Sequence, residues 1–173
     1  MKVGLVSDTH DLLDPKLEGL FRGVEAILHA GDVTRAHVLE GLARLAPVHA
    51  ARGNNDVGPF GASLPEHLWV ELGAITVLVV HQIGARDRLD PTLVRALTRR
   101  PAELVLHGHS HRPGVRLLDG RLFVNPGSAG PRRFSLPRAA GLLVVHGREV
   151  RVELFDLSPA EPSPLGPPFS TRL

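Results

Sequence analysis

Short apolar runs recur along the whole chain, and polar or turn-forming residues separate them. Their length and their content of β-branched residues favour strands over helices. The runs are Val3–Val6, Val24–Leu28, Pro47–Ala51, Leu68–Leu72, Ile75–Val80, Leu104–Leu106, Val115–Leu118, Leu122–Val124 and Leu142–Val145. The pattern predicts a protein built on β-sheet.

Three segments carry apolar residues at helical spacing instead: 15–23, 36–45 and 91–99. The clearest is 36–45, where apolar residues recur about every 3.6 positions and Thr34 stands where an N-cap would. Asp90 followed by Pro91 is typical of an N-cap and a first helical position. These segments predict three helices on the outside of the sheets.

The order of the elements changes along the chain. The first two-thirds alternate strand and helix, with a hairpin through Gly73, whereas the last third reads as consecutive strands with a hairpin signal at Asp119-Gly120. This order predicts an α/β protein with two packed mixed sheets and helices outside. We expect a single domain over residues 1–157 and an extended, proline-rich tail over 158–173.

Composition narrows the class of protein. The chain has 173 residues, of which 43% are hydrophobic, so a substantial core can form in one domain. The net charge of +2 and the absence of a basic run do not indicate nucleic-acid binding. No cysteine is present, which excludes disulfides and thiolate metal sites, and no apolar stretch reaches the roughly 20 residues that span a bilayer. A cytoplasmic protein without membrane contact is expected.

Side chains that bind metals follow five of the apolar runs. The five clusters are Asp8-Thr9-His10, Gly31-Asp32, Gly53-Asn54, His81 and Gly108-His109-Ser110-His111. In α/β folds ligands gather outside the carboxyl ends of the strands, so these clusters can converge on one crevice. An extended backbone would point Asp8 and His10 to the same side, and a glycine before a ligand permits a sharp turn and close approach of the backbone. Imidazole, carboxylate and amide donors without sulfur suit divalent ions such as Mn, Fe or Zn.

The five motifs, in this order, resemble those of the calcineurin-like metallophosphoesterases. More specifically, they resemble those of the small single-domain YfcE-like phosphodiesterases of bacteria and archaea, and Asn125-Pro126-Gly127-Ser128 is also similar to that group. The resemblance implies a four-layer α-β-β-α sandwich, the metallophosphatase fold. It further implies a small phosphate-ester substrate, with phosphodiesters favoured over monoesters.

The resemblance also implies a binuclear centre, with Mn²⁺ as the commonest ion and Fe, Zn, Ni or Mg as alternatives. It assigns one metal to Asp8, His10, Asp32 and His111, and the other to Asp32, Asn54, His81 and His109, so that Asp32 bridges. All seven count as catalytic as well as metal-binding. Two ions about 3.5–4 Å apart would hold a hydroxide that attacks phosphorus in line.

The chain departs from the family pattern at two positions. Asn55 stands where larger relatives have a histidine thought to protonate the leaving group, and where the small group usually has cysteine. Ile83 stands where many relatives have a second histidine after the ligand at His81. Both changes predict a site that is poor in general acids.

Several alternatives remain open. The chain could be a metal-binding scaffold without catalysis, as in a sorting-complex relative of this fold, or a nuclease. His107 and Asp56 are interpreted as supporting residues rather than ligands, and Arg132-Arg133 as solvated surface. The physiological substrate and a homo-oligomeric state are not decided by the sequence.

Overall fold

The structure is a computed structural model that describes residues 1–85, 88–133 and 135–173. Its helices are α1 Lys16–Leu20, α2 Ala36–Ala43, α3 Gly58–Ala62 and α4 Pro91–Arg99. Its strands are β1 Lys2–Val6, β2 Ala26–His29, β3 Val48–Ala50, β4 His67–Leu72, β5 Ile75–Val80, β6 Gly84–Ala85, β7 Arg88–Leu89, β8 Leu104–Leu106, β9 Gly114–Leu118, β10 Arg121–Asn125, β11 Ala139–His146, β12 Glu149–Asp156, β13 Ser163–Pro164 and β14 Phe169–Arg172.

Two mixed sheets form the centre of the molecule. The larger runs in the order β13-β12-β11-β1-β2-β3, with β14 also paired to β12, and the smaller in the order β4-β5-β8-β10-β9. β1, β2 and β3 are parallel in the first sheet, and β5, β8 and β10 are parallel in the second. The carboxyl ends of each parallel set therefore lie at one edge of its sheet, which positions the clusters described below.

Successive side chains along each strand point to opposite faces of its sheet, and the buried apolar residues therefore form three layers. In β5, Val77 and Val79 pack between the two sheets, whereas Leu78 and Val80 pack on the outer face against α4. The outer face of the larger sheet packs against α1 and α2, where Leu17 and Leu42 are fully buried. This arrangement confirms the predicted four-layer α-β-β-α sandwich.

Some local predictions were wrong. α2 begins after Arg35 without a side-chain cap, and Thr34 adopts a left-handed φ of 70°, so Thr34 is not its N-cap. α3 was not predicted, because its sequence Gly-Pro-Phe-Gly-Ala reads as a turn. By contrast, Asp90 caps α4 as predicted, accepting a hydrogen bond from Thr92 N at 2.7 Å.

Residues after Ser158 pair with the larger sheet. β13 and β14 are extended, and both run antiparallel to β12. The domain limit at residue 157 remains a prediction, with part of the tail hydrogen-bonded to that domain. Among the described helices, none is long and apolar enough to cross a membrane.

Candidate metal centre

The seven candidate ligands come together where the parallel strands of both sheets end. Asp8 and His10 follow β1, Asp32 follows β2 and Asn54 follows β3; His81 follows β5, and His109 and His111 follow β8. Asp8, Asp32, His81 and His111 are buried, and His10 is half-buried. Asn54 and His109 lie at the exposed rim.

One group of ligand atoms forms around Asp8. Its Oδ1 lies 3.1 Å from His111 Nε2 and 3.9 Å from His10 Nε2, and these two ring nitrogens are 3.4 Å apart. The three residues offer ligand atoms that lie within 4.8 Å of one another. An imidazole–imidazole–carboxylate set of this kind can hold a divalent ion.

A second group forms around Asp32. Asp32 Oδ2 lies 3.4 Å from His81 Nε2 and 3.8 Å from His10 Nε2, so this carboxylate is close to both groups. Asp8, Asp32 and His81 offer a second set of ligand atoms within 4.8 Å of one another. Asn54 Oδ1 lies 3.1 Å from His81 Nε2 and 3.0 Å from His109 Nδ1, which places the amide oxygen among the imidazoles.

The oxygen Asp8 Oδ1 supports a cation at the first group. Oδ2 of the same carboxylate accepts hydrogen bonds from Ser7 Oγ at 2.7 Å and His109 N at 3.0 Å. Oδ1 is buried and, among the described residues, has no hydrogen-bond partner. A buried carboxylate oxygen without a partner is costly unless an ion takes it. The donor set therefore fits divalent metal ions.

Mutual charges shift the pKa values in this cluster. Burial would raise the pKa of Asp8, but nearby His111 and His81 outweigh it and hold the pKa below its usual range. For Asp32 the opposing effect of burial is overcome by His81 and by hydrogen bonds from Asn55, and its pKa is also lowered. Both carboxylates are therefore anionic at neutral pH, as metal ligands must be.

The pKa values of His81 and His10 shift in opposite directions, because their surroundings differ. Burial would lower the pKa of His81, but the Asp32 and Asp8 carboxylates raise it. His81 Nδ1 lies 2.7 Å from the Ala30 carbonyl oxygen, which can only accept, so Nδ1 donates and Nε2 faces the ligand cluster. Burial lowers the pKa of His10, and the charge of Arg133 adds to the effect. Arg132 and Arg133 are themselves exposed, as predicted for this pair.

Left-handed backbone, rather than extended backbone, aims the ligands. Asp8, His10, Asp32, His109 and His111 have φ values of 52°, 45°, 56°, 65° and 56°. The expected extended Asp8–His10 segment was therefore wrong, although both side chains do point into the crevice. Such conformations cost about 1–3 kcal/mol each in non-glycine residues and concentrate at functional sites.

Two glycines allow the loops to approach closely. A Cβ at Gly53 would overlap the backbone nitrogen and Oδ1 of Asp32, and one at Gly108 would overlap Ser7 Oγ and meet Asp8 Oδ2. The predicted reason for glycine before a ligand is thus confirmed as close approach. Neither position tolerates a side chain without moving a carboxylate of the cluster.

Hydrogen bonds to Asp56 and from Ser128 anchor the backbone of these loops. Asp56 Oδ2 accepts from Asp32 N and Gly53 N at 3.0 and 2.7 Å, and Oδ1 accepts from Thr34 N at 2.7 Å, as predicted for a loop anchor. Ser128 Oγ donates to Asp8 O at 2.8 Å, which ties the Asn125–Ser128 segment to β1.

The sequence did not indicate what Asn55 and Gln82 contact. Asn55 donates to the Asp32 carboxylate twice, from its backbone nitrogen at 2.8 Å and from Nδ2 at 2.6 Å. Gln82 Nε2 lies 3.0 Å from Asn54 Oδ1 and 3.1 Å from His109 Nδ1. The only signal was position, since Asn55 and Gln82 each follow a candidate ligand.

Comparison with known proteins identifies the family. The model of the calcineurin-like phosphoesterase superfamily domain matches residues 1–148. A probable metallophosphoesterase of Methanothermobacter thermautotrophicus is 32% identical over 161 residues, covering 90% of this chain and 92% of the relative. A phosphodiesterase of Methanocaldococcus jannaschii is 26% identical, covering 87% of this chain and 97% of the relative.

A solved structure shows the same fold. Vacuolar protein sorting 29 of Cryptosporidium parvum superposes with a TM-score of 0.80 at 24% identity, over 98% of both chains. The match of the family model, together with the relative above 30% identity, establishes the relationship. The chain belongs to the calcineurin-like phosphoesterase superfamily.

Proposed function

We propose that this chain hydrolyses phosphodiesters with two divalent metal ions. The observation that carries the proposal is Asp8 Oδ1, which is buried beside His10 and His111 and has no hydrogen-bond partner in the part of the chain that the structure describes. A phosphodiesterase among the relatives supports the substrate class. The proposed substrate is a small phosphate ester in a cytoplasmic setting, and no oligomer is needed to complete the ligand set.

In this proposal one ion is held by Asp8, His10, Asp32 and His111, and the other by Asp32, Asn54, His81 and His109. Mn²⁺ is the ion we expect from the family resemblance; oxygen and imidazole donors without sulfur are compatible with it, and Fe, Zn, Ni and Mg are alternatives. When bound, such ions lower the pKa of water and polarise phosphoryl oxygens.

The protein contributes orientation and charge. Asn55 fixes the Asp32 carboxylate with two hydrogen bonds, and Ser7 and the His109 amide fix that of Asp8. The positive charge of the exposed Arg133 acts on His10 and would also favour an anionic phosphate. Asn55 and Ile83 supply no titrating proton, so this arrangement favours leaving groups that depart without protonation.

A scaffold without catalysis is the second candidate, and its support is the fold shared with a sorting protein. The complete set of ligand-type residues favours catalysis. A nuclease has less support, because the net charge is only +2 and no basic run marks a nucleic-acid surface.

Metal-dependent turnover is the decisive experiment. The chelator-treated protein is assayed with bis(4-nitrophenyl) phosphate and with 4-nitrophenyl phosphate, alone and with Mn²⁺, Zn²⁺ or Mg²⁺. We expect diester hydrolysis only with added metal, abolished by Asp8→Asn and preserved by Asp119→Asn, a matched change at a distant exposed hairpin. Metal binding without turnover of either ester would favour the scaffold.

A further inference from the structure

A cavity of about 690 Å³ adjoins the metal centre on the side of the smaller sheet. Its walls come from the segment after β5, from the loop after β8, and from β9 and β10. His109 and Gln82 line it, and both also contact Asn54 Oδ1, so the cavity and the metal centre share a wall. A volume of this size falls in the range of about 300–1,000 Å³ that suits one small ligand.

One part of the lining is apolar. Ile83 and Phe123 contribute to it, and Ile83 packs on the same apolar cluster as Phe123. Ile83 is the position where many family members have a histidine, so in this chain an apolar group faces the space next to the centre. An apolar wall favours a ring over a hydroxyl-rich group such as glycerol, whose polar atoms would lose water there.

Two guanidinium groups form the other part. Arg112 and Arg116 line the cavity and are exposed. The guanidinium carbon of Arg116 lies 5.6 Å from the centroid of the Phe123 ring, so this planar cation rests on an aromatic support. Guanidinium planes stack on the faces of nucleobases and other flat rings, which a lysine ammonium cannot do.

We propose that this cavity binds a planar heteroaromatic ring carried by the substrate, so that the substrate is a small nucleotide-like phosphodiester. The proposal rests on the proposed function, because His109 joins the cavity to the phosphate site. Arg116 stacks on the ring, while Ile83 covers its apolar edge. A single nucleoside suits a cavity of this volume, and the absence of a basic run disfavours a long polynucleotide.

Binding of matched ligands tests the proposal independently of turnover. The probes are uridine 5′-monophosphate and ribose 5-phosphate, which share the ribose and the phosphate but differ in the heteroaromatic ring, titrated by calorimetry into the Mn²⁺-treated protein. We expect the ring to strengthen binding about tenfold or more. Arg116→Ala should remove most of this advantage, whereas Arg44→Ala, at the end of α2 on the opposite outer layer, should keep it.

The variant Arg116→Lys separates stacking from charge. Loss of the ring advantage in Arg116→Lys supports stacking, and full retention overturns it. Equal affinity of wild-type protein for the two probes, or no binding of either, also overturns the proposal. Ring-dependent binding in a protein that hydrolyses no diester contradicts only the catalytic proposal. Diester hydrolysis without ring-dependent binding contradicts only the ring site.

Discussion

Asn55 and Asp32 show how much depends on single contacts at the residue scale. Asp32 lies near both ligand groups, and both of its oxygens accept hydrogen bonds from Asn55. Asn55 is therefore more than a neighbour in the loop, because it restricts the orientation of the carboxylate proposed to bridge the ions. Hydrogen bonds to a ligand typically change metal affinity or activity by about 10–100-fold.

Substitution at these two positions should give graded losses. Asp32→Asn removes the charge shared by both ions and should abolish metal-dependent hydrolysis. Asn55→Ala keeps the backbone hydrogen bond and should lower kcat/KM by about 10–100-fold. The measurement is kcat/KM for bis(4-nitrophenyl) phosphate, with circular dichroism and metal content confirming folded, loaded protein. Equal losses in the two variants would contradict the ranking.

The buried His29, which contacts the loops after β1 and β2, makes the stability of the protein depend on pH. Gly31 N donates to its Nδ1 at 3.1 Å, so Nε2 carries the proton and donates to Thr9 Oγ1 at 3.0 Å. Protonating Nδ1 would break the first hydrogen bond inside a fully buried environment. Burial lowers the pKa of His29 from 6.5 to about 4.

This shift predicts that the metal-free protein loses stability as the pH falls from 6.5 towards 4. In that window the unfolded chain binds a proton at His29 and the folded chain does not, so acid favours unfolding. The contribution is about 2 kcal/mol between pH 7 and pH 5. Urea unfolding at both pH values checks it, with His29→Gln expected to show the smaller loss and exposed His146→Gln the wild-type loss. An unchanged pH dependence in His29→Gln would show that His29 titrates normally.

The role of a residue could be predicted from the sequence where its side-chain chemistry alone indicates that role. Asp8 and His111 are recognisable as metal donors in any fold that brings them together. The contacts of His29 and Asn55 were not, because a histidine in an apolar run and an asparagine in a turn have many ordinary explanations. Their roles depend on which backbone groups face them, and this is decided by the folded loops.

At the scale of elements, the loops between strand and helix carry the strain of the site. Gly53 packs against Asp32 so closely that a methyl group would overlap its backbone nitrogen. Two strand ends, those of β2 and β3, are thereby held in direct contact. The close approach keeps Asn54 and Asp32 on the same side of the crevice.

Gly53→Ala should therefore displace Asp32, weaken Mn²⁺ binding by at least about tenfold and lower stability by about 1–3 kcal/mol. Gly19→Ala is the control, because the residue is inside α1 and a Cβ added there would meet no described atom outside its own helix within 4 Å. That change should stabilise the protein by about 0.5–1 kcal/mol. Calorimetric Mn²⁺ titration and urea unfolding give the two quantities. Unchanged metal affinity in folded Gly53→Ala would show that the loop has room to adjust.

Strands were predicted well because their signal is local and repeated. The buried run Ile75–Val80 is β5, and Leu104–Leu106 is β8, with the predicted bounds. α3 was missed, since packing rather than propensity holds Gly61 in the helix; a Cβ at Gly61 would overlap the backbone of Asp56. The failure at Thr34 has the same origin, because its left-handed φ follows from loop geometry around Asp56.

For the whole molecule, sequence patterns predicted part of the architecture. The order of the elements predicted two packed mixed sheets, and the position of the metal-binding clusters after strands indicated that they can share one crevice. The order of the strands within each sheet was not predicted, and the four-layer arrangement was implied by the family resemblance, with which the structure agrees. The pairing of the proline-rich segment with β12 was also not predicted, since its prolines argue against regular pairing.

Removing residues 158–173 tests how far the site depends on this last layer. β14 pairs with β12 over four residue pairs, and Phe169 and Leu173 pack against the cluster that contains Val150 and Val152. A chain ending at Leu157 should therefore lose about 2–4 kcal/mol of stability. All seven candidate ligands precede residue 112 and follow β1, β2, β3, β5 and β8, none of which pairs with the removed strands. Below the unfolding transition, Mn²⁺ affinity and turnover should therefore change less than about threefold. Urea unfolding, Mn²⁺ titration and diester hydrolysis at low temperature measure the three effects. Folded, truncated protein that no longer binds Mn²⁺ would show that the tail positions the metal centre.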